Sequence, residues 1–245
     1  MKNIPKQLIH FCYINSGFTG EQKRIKANMK NRAILLLVIL MTISIRSSGQ
    51  STSEVVLPSF QDTYSDYVKK LESGETNIDY QDFRYSFLKS EQYNLAQAAS
   101  KEFDSLKREM YVQMNAANHS EIIQITKQLL SIDYTDMMAH KILRQTYKII
   151  GDTVNAAKYK TIQFGLMNSI LQKGDGKSCE TAWPVIKVEE EYFILEMVGA
   201  KLKEQTLVQD GGICDKMDFK VDGKNKTFYF EVSKIFEGYK KMGLD

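Results

Sequence analysis

Two groups of residues have types and spacing that could support chemistry. Asp82, Arg84 and Tyr85 lie close together in the chain, and an arginine among aromatic side chains can hold a carboxylate or stack on a sugar. Further along, Glu189, Glu190 and Glu191 form a run of carboxylates, and paired carboxylates can exchange protons when burial separates their pKa values. From these groups we select four candidate ligand-binding residues, with no catalytic residue assigned: Asp82, Arg84, Tyr85 and Glu190.

Both groups also have a structural interpretation. Arg84 could fix two helices through a buried, hydrogen-bonded pair, and three glutamates at the start of a helix favour its macrodipole. An enzyme that uses these groups would need them to converge in one cleft. The sequence leaves both interpretations open.

Signatures for other chemistries are missing beyond residue 50. His119 and His140 are the only histidines there, and neither has a second metal ligand three or four residues away, so we predict surface or helix-cap positions for both. The chain has no GxSxG nucleophile motif. The stretch Gly174–Lys177 lacks the spacing of a phosphate-binding loop and predicts a turn. We therefore expect no metal and no cofactor, and we favour a protein that is not an enzyme.

The first 49 residues are typical of an export signal. Ala33–Ile45 is a run of 13 mostly apolar residues, preceded by five Lys and Arg between residues 23 and 32. A signal-peptide core needs about 7–15 apolar residues, whereas a membrane-spanning helix needs roughly 20. We predict cleavage near Gly49 and Gln50, a periplasmic or extracellular location, and no stable membrane insertion afterwards. An uncleaved anchor is the alternative, and Met29 is an alternative start that would make residues 1–28 an over-called extension.

The charge balance argues against nucleic acid as a partner. Residues 1–50 hold eight of the 33 Lys and Arg and one of the 30 Asp and Glu, which leaves 25 basic and 29 acidic residues and a net charge of −4. A surface of that sign cannot neutralise phosphates. Cys179 and Cys214 are the only cysteines in this part of the chain, so an exported protein could join them in a disulfide, with two free thiols as the alternative.

Residues 59–173 predict a helical region that follows a short leader at residues 50–58. Ser59 and Asp79 are candidate N-caps, and Ala96–Ala117 is predicted as one helix. Three further helices follow within His119–Leu171. Gly151 and Ala156 fall at tetratricopeptide offsets, and one 34-residue period earlier lie Ala117 and Ile122. Two residues depart from the consensus, Ile122 and Tyr134, the latter at the position of the expected proline, so a generic helical bundle remains the alternative.

Residues 174–245 predict a small antiparallel sheet of about four strands with one or two helices, which makes the fold class α+β. The predicted strands are Ala182–Val188, Leu202–Val208, Ile213–Val221 and Thr227–Val232, with a hairpin turn at Asp222-Gly223. Glu189–Val198 fits a helix or a strand, and we favour the helix. A last helix is predicted over Ile235–Met242.

Several short stretches resemble a family of exported bacterial proteins, common in Bacteroidota and defined as a domain of unknown function. The resemblance is carried by Thr76–Tyr80 with Phe83-Arg84-Tyr85, by Gly174-Asp175-Gly176 and by Glu190-Glu191-Tyr192. It covers nearly all of the chain after the signal. It implies an address and an architecture but no activity.

Together these features favour a non-enzymatic binding or scaffold module of the bacterial cell envelope. The expected partner is an envelope protein or peptide. The alternative is an envelope hydrolase or ligand-modifying enzyme that uses a carboxylate and arginine cleft.

Overall fold

A computed structural model describes residues 54–209 and 211–241, and the predicted signal and most of the leader lie outside these residues. Within them, helices come mostly before a small sheet, which confirms the α+β class. The elements in chain order are α1 (Thr63–Glu72), α2 (Tyr80–Lys89), α3 (Glu91–Ala98), α4 (Ser100–Asn115), α5 (His119–Ile132), α6 (Met137–Ile149), α7 (Thr153–Leu171), β1 (Trp183–Pro184), α8 (Val188–Met197), β2 (Lys201–Gln209), β3 (Ile213–Val221), β4 (Lys224–Glu231) and α9 (Ser233–Lys241).

Helices α1 and α2 pair through aromatic side chains. Asp62, not the predicted Ser59, caps α1, because its carboxylate accepts a hydrogen bond from the backbone N–H of Ser65 at 2.8 Å. Asp79 caps α2 as predicted. The ring of Tyr64 lies 5.5 Å from that of Phe83 and 5.0 Å from that of Phe87, so both helices contribute to one apolar core.

The predicted helix Ala96–Ala117 is two helices. Ser90 caps α3 through its side chain, and the backbone at Ala99 leaves the helical region before α4 begins at Ser100. Helices α4 to α7 then fold back on one another through short turns. Ala117 and Gly151 have positive φ at the first and last of these turns, which closes each hairpin within three residues.

The sheet has the order β1-β4-β3-β2 and is mixed, not purely antiparallel. β2, β3 and β4 are antiparallel, and Asp222-Gly223 forms the predicted hairpin turn with positive φ at both residues. The predicted strand Ala182–Val188 is only the two-residue β1, which pairs in parallel with Phe230-Glu231. β1 stops there because the chain turns into α8, which confirms the helical assignment of Glu189–Val198.

The described residues belong to one compact unit with a continuous apolar core. No helix within residues 54–209 or 211–241 is long and apolar enough to cross a membrane.

Candidate functional site

Arg84 lies in the middle of α2 and is completely excluded from solvent. Its Nε donates to Oε1 of Glu190 at 2.8 Å, and its Nη2 donates to Oε2 of Glu190 at 2.5 Å. Nη2 also donates to the carbonyl of Pro184 at 3.1 Å, and Nη1 donates to the hydroxyl of Ser169 at 3.3 Å. Arg84 therefore ties together α2, α7, β1 and α8.

Glu190 is the partner that makes this burial possible. It lies in the first turn of α8, and its Oε2 also accepts a hydrogen bond from the backbone N–H of Ile186 at 2.9 Å. A carboxylate at this position also stabilises the positive end of the helix dipole. Because Glu190 is only 1% exposed, the pair is a two-point ion pair inside the protein and does not form an accessible binding surface.

The other two candidate residues do not complete a cleft with this pair. Asp82 is exposed and accepts a hydrogen bond from the hydroxyl of Tyr67 on α1 at 2.9 Å. Tyr85 is half-buried, and its ring centroid lies 6.0 Å from the guanidinium carbon of Arg84 and 5.9 Å from Nζ of Lys234. The structure thus brings Arg84 and Glu190 together, places Tyr85 beside them, and leaves Asp82 in a surface contact.

A second ion pair joins the helical region to α8, and the candidate residues did not include it. Lys187, the residue before α8, donates to the carboxylate of Asp133 and to the hydroxyl of Thr135 at 2.9 Å. Burial alone would lower the pKa of Lys187, but the nearby carboxylates of Asp133 and Asp136 outweigh it and raise that pKa. No local pattern in the sequence distinguishes this lysine from others.

His140 is fully buried, so the predicted surface or cap position is wrong for this residue. It lies on the inner face of α6, where its Nε2 donates to the carbonyl of Tyr134 at 2.8 Å and its Nδ1 has no hydrogen-bond partner. Burial lowers its pKa to about 4, against opposing effects of the Tyr134 carbonyl and of nearby carboxylates. His140 is therefore a neutral core residue. His119 is the first residue of α5.

Another acidic pair lies between α8 and the sheet. Glu191 on α8 is completely buried, and Asp215 on β3 is half-buried. Gln205 on β2 bridges them, since its Nε2 lies 3.3 Å from Oε2 of Glu191 and 2.6 Å from Oδ2 of Asp215. Burial and the neighbouring carboxylates hold the pKa of Glu191 well above its ordinary value, and burial raises the pKa of Asp215. The glutamate run pointed to Glu191, but Asp215 has no sequence signal.

Cys179 and Cys214 form a disulfide with their Cα atoms 5.7 Å apart. It fastens the loop after α7 to β3. In this loop, a Cβ on Gly174 would lie 2.1 Å from the carbonyl oxygen of Thr181, and Gly176 has a φ of +65°. The Gly174–Gly176 stretch is thus a tight turn held against the sheet, as predicted.

Two further features of the described residues bear on binding. Within residues 54–209 and 211–241, no group of three or more His, Cys, Asp or Glu side chains is arranged to hold a metal ion. A shallow cavity of about 220 Å³ lies on the sheet, away from all four candidate residues. Its lining consists of Lys203, Asp218, Phe219, Asn225, Lys226 and Thr227.

Comparison with known proteins places the chain in a family but not near a characterised relative. No curated protein and no solved structure matches it significantly. Residues 59–241 match one family model, described as "Domain of unknown function (DUF4919)". Since that match spans about three quarters of the sequence, from α1 to α9, the chain belongs to the DUF4919 family.

Proposed function

We propose that this protein is a non-enzymatic binding or scaffold module of the bacterial cell envelope that holds an apolar segment of another protein. The proposed address rests on the apolar run Ala33–Ile45 and the basic residues before it. The proposed scaffold role rests on the helical hairpins of α4 to α7, which have tetratricopeptide-like spacing in the sequence.

The observation that carries the binding role is a set of exposed apolar side chains that lie near the α4–α5 and α6–α7 turns. Since α4 to α7 alternate in direction, the α4–α5 and α6–α7 turns lie at the same end. We call this surface the hairpin end. Its exposed apolar residues are Val112 (56%), Met114 (38%), Ile149 (66%), Ile150 (48%) and Val154 (78%).

Exposed apolar side chains grouped on one surface are typical of protein–protein contact sites. The chain beyond residue 50 carries a net charge of −4, so a polyanion is a poor partner, and an apolar protein segment fits the hairpin end better. Such a segment would cover these side chains, and removing their apolar surface from water would stabilise the complex.

The alternative proposal, an envelope hydrolase or ligand-modifying enzyme, receives less support. It relied on Arg84 and Glu190 reaching a substrate. Four N–H groups of Arg84 have acceptors within the protein, and both side chains are buried. The guanidinium and the carboxylate are thus engaged by each other and by neighbouring groups, and not by an open cleft.

The test compares variants that leave the core intact. The double variant Ile150→Ser, Val154→Ser changes only exposed side chains. Leu95→Ser, which changes a 52% exposed leucine on α3, is the matched control.

The wild-type protein should capture a stoichiometric partner by crosslinking in an envelope extract. Once that partner is purified, titration should show at least a tenfold weaker Kd for Ile150→Ser, Val154→Ser and an unchanged Kd for Leu95→Ser. Equal binding by all three proteins, or failure to isolate any stoichiometric partner, contradicts the proposal. Unchanged thermal unfolding of each variant excludes misfolding as the cause.

A further inference from the structure

Glu191 and Asp215 both accept a hydrogen bond from the same side-chain amide, that of Gln205. The amide nitrogen of Gln205 points at both carboxyl groups, 3.3 Å from Glu191 and 2.6 Å from Asp215. The amide oxygen of Gln205 accepts a hydrogen bond from the hydroxyl of Tyr192 at 2.8 Å, which fixes the orientation of the amide. Gln205 has two N–H groups, and this arrangement uses both of them.

No cation compensates the two carboxyl groups. Neither of them takes part in any ion pair among residues 54–209 and 211–241. The other titratable groups that face them are Glu189 and Glu190 on α8 and Tyr239 on α9, while β2 contributes the uncharged Gln205. All of these groups are neutral or negative, and the charge of Glu190 is directed at Arg84.

One carboxyl oxygen of Glu191 has no hydrogen-bond donor. Oε1 of Glu191 is buried and has no hydrogen-bond partner, whereas Oε2 accepts from Gln205. Two ionised carboxylates bridged by one amide nitrogen, one of them fully buried and the other half-buried, would repel each other, and this repulsion is relieved when one member keeps a proton. The proton then serves as the missing donor between the two groups.

We propose that Glu191 and Asp215 share one proton, and that this proton acts as a latch holding α8 against strands β2 and β3. Glu191 holds the proton, and its carboxyl O–H donates a hydrogen bond to Asp215. Gln205 accepts a hydrogen bond from Tyr192 through its amide oxygen and donates hydrogen bonds to both acids through its amide nitrogen. The latch thus links the three elements through one titratable site.

Loss of the shared proton would weaken the contact of α8 with the sheet, and β2 would be the first strand to separate. β2 is the last strand in the sheet order and has β3 as its only neighbour among the described strands. Most of its residues are exposed. A strand with one neighbour and few buried side chains has less to hold it than the central strands, so it separates first.

The direction of the pH dependence follows from the raised pKa of Glu191. In the unfolded chain Glu191 ionises near the ordinary value for glutamate, whereas in the folded protein it keeps its proton to higher pH. Between the unfolded and the folded pKa, Glu191 is ionised in the unfolded chain but still protonated in the folded protein, so a rise in pH lowers the free energy of the unfolded state relative to the folded state. The contribution of Glu191 to stability is therefore fully present below its unfolded pKa and is lost as the pH rises towards the folded pKa.

Hydrogen exchange on the full chain between pH 5.5 and pH 9, corrected for the intrinsic pH dependence of exchange, tests the proposal. In the wild type, protection of Lys201–Gln209 and of α8 should fall at least tenfold over this range, while α5 to α7 keep theirs. Glu191→Gln keeps the shape and adds a permanent donor towards Asp215, so it should abolish the change. Glu204→Gln, which changes an exposed side chain of β2 that is not among the groups facing the pair, should behave like the wild type.

Infrared spectroscopy supplies a second, independent readout. A protonated carboxyl band should be present in the wild type at neutral pH and absent from Glu191→Gln. Asp215→Asn also removes the charge repulsion, and it takes the place of Glu191→Gln if that variant does not fold. The proposal is overturned if wild type and variant show the same pH profile, or if no protonated carboxyl band belongs to Glu191.

Discussion

At the scale of single residues, His140 shows how burial decides what a titratable group does. Its ring lies 4.9 Å from that of Tyr134 and 5.8 Å from that of Tyr159, so it is part of an aromatic cluster. Tyr134 and Tyr159 in turn donate to Glu72, which also accepts from Lys158. His140 thus supports the packing of α6 on its neighbours and is not available as a metal ligand or a base.

We expect acid to destabilise the protein through His140. Its pKa is about 4 in the folded protein and about 6.5 in an unfolded chain, so the unfolded state binds the proton first. The free energy of unfolding should fall as the pH drops from 6.5 to 4, by about 3 kcal/mol from this group. Urea denaturation at a series of pH values measures the slope.

The variant His140→Gln should lose that part of the slope, because glutamine does not titrate and can still donate to the Tyr134 carbonyl. His119→Gln, at the start of α5, is the matched control and should keep the wild-type slope. A wild-type slope in His140→Gln would show that other groups cause the acid sensitivity.

The sequence predicted some site residues by type and could not predict others. Arg84 and Glu190 stood out because an arginine among aromatics and a run of glutamates are uncommon patterns. Their burial was not predictable, since it depends on contacts between residues 106 positions apart. Asp215, Gln205 and Lys187 had no local pattern at all, because their roles come only from what faces them across the fold.

At the scale of elements, close packing explains a glycine inside α7. A Cβ on Gly165 would lie 2.3 Å from ring atoms of Tyr80, the first residue of α2. The Tyr80 hydroxyl donates to the carbonyl of Thr76 at 2.9 Å, which limits how far its ring can move. The contact lets α2 approach α7 closely enough for Arg84 to reach Ser169.

Gly165→Ala should therefore destabilise the protein, by roughly 1–3 kcal/mol from overpacking. In an otherwise unobstructed helix the same change stabilises by up to about 1 kcal/mol. In a Tyr80→Ala background, where the ring is gone, Gly165→Ala should accordingly become stabilising. Thermal unfolding of the four proteins measures this change of sign, and the same sign in both backgrounds would contradict the explanation.

Regular elements were predictable where local patterns are strong, and less so where long-range pairing decides. The hairpin at Asp222-Gly223 and the cap at Asp79 follow from turn and capping chemistry. β1 was predicted as a longer, antiparallel strand, because the apolar run Ala182–Ile186 fits a strand. Its side chains are buried against the core instead, while only Trp183-Pro184 pairs with β4.

At the scale of the whole molecule, two ion pairs join the helical region to the region around the sheet. Arg84–Glu190 joins α2 to α8, and Lys187–Asp133 joins the start of α8 to the α5–α6 turn. Each pair is wholly or largely removed from solvent. The helices and the sheet should therefore unfold together, because unfolding either region alone would remove one partner from each ion pair and break both pairs.

Removing one member of the Arg84–Glu190 pair should cost about 3–5 kcal/mol, because the remaining charge stays buried. Glu190→Gln and Arg84→Met should each show this loss in urea denaturation, with helix and sheet signals shifting together. The double variant Arg84→Met, Glu190→Leu should lose much less than the sum of the two. Glu189→Gln, an exposed neighbour, should change stability by at most about 0.5 kcal/mol. Additive losses, or separate transitions for helices and sheet, would contradict this description.

The distance in sequence between Arg84 and Glu190 also determines when their ion pair can form during synthesis. Arg84 leaves the ribosome 106 residues before its partner, so the nascent helical region cannot bury that guanidinium as an ion pair. Helices can form early, but the core around α2 can close only after α8 has been made. We therefore expect the full fold to form only after most of the chain has been synthesised, and until then the nascent chain stays available to factors that act on unfolded polypeptides.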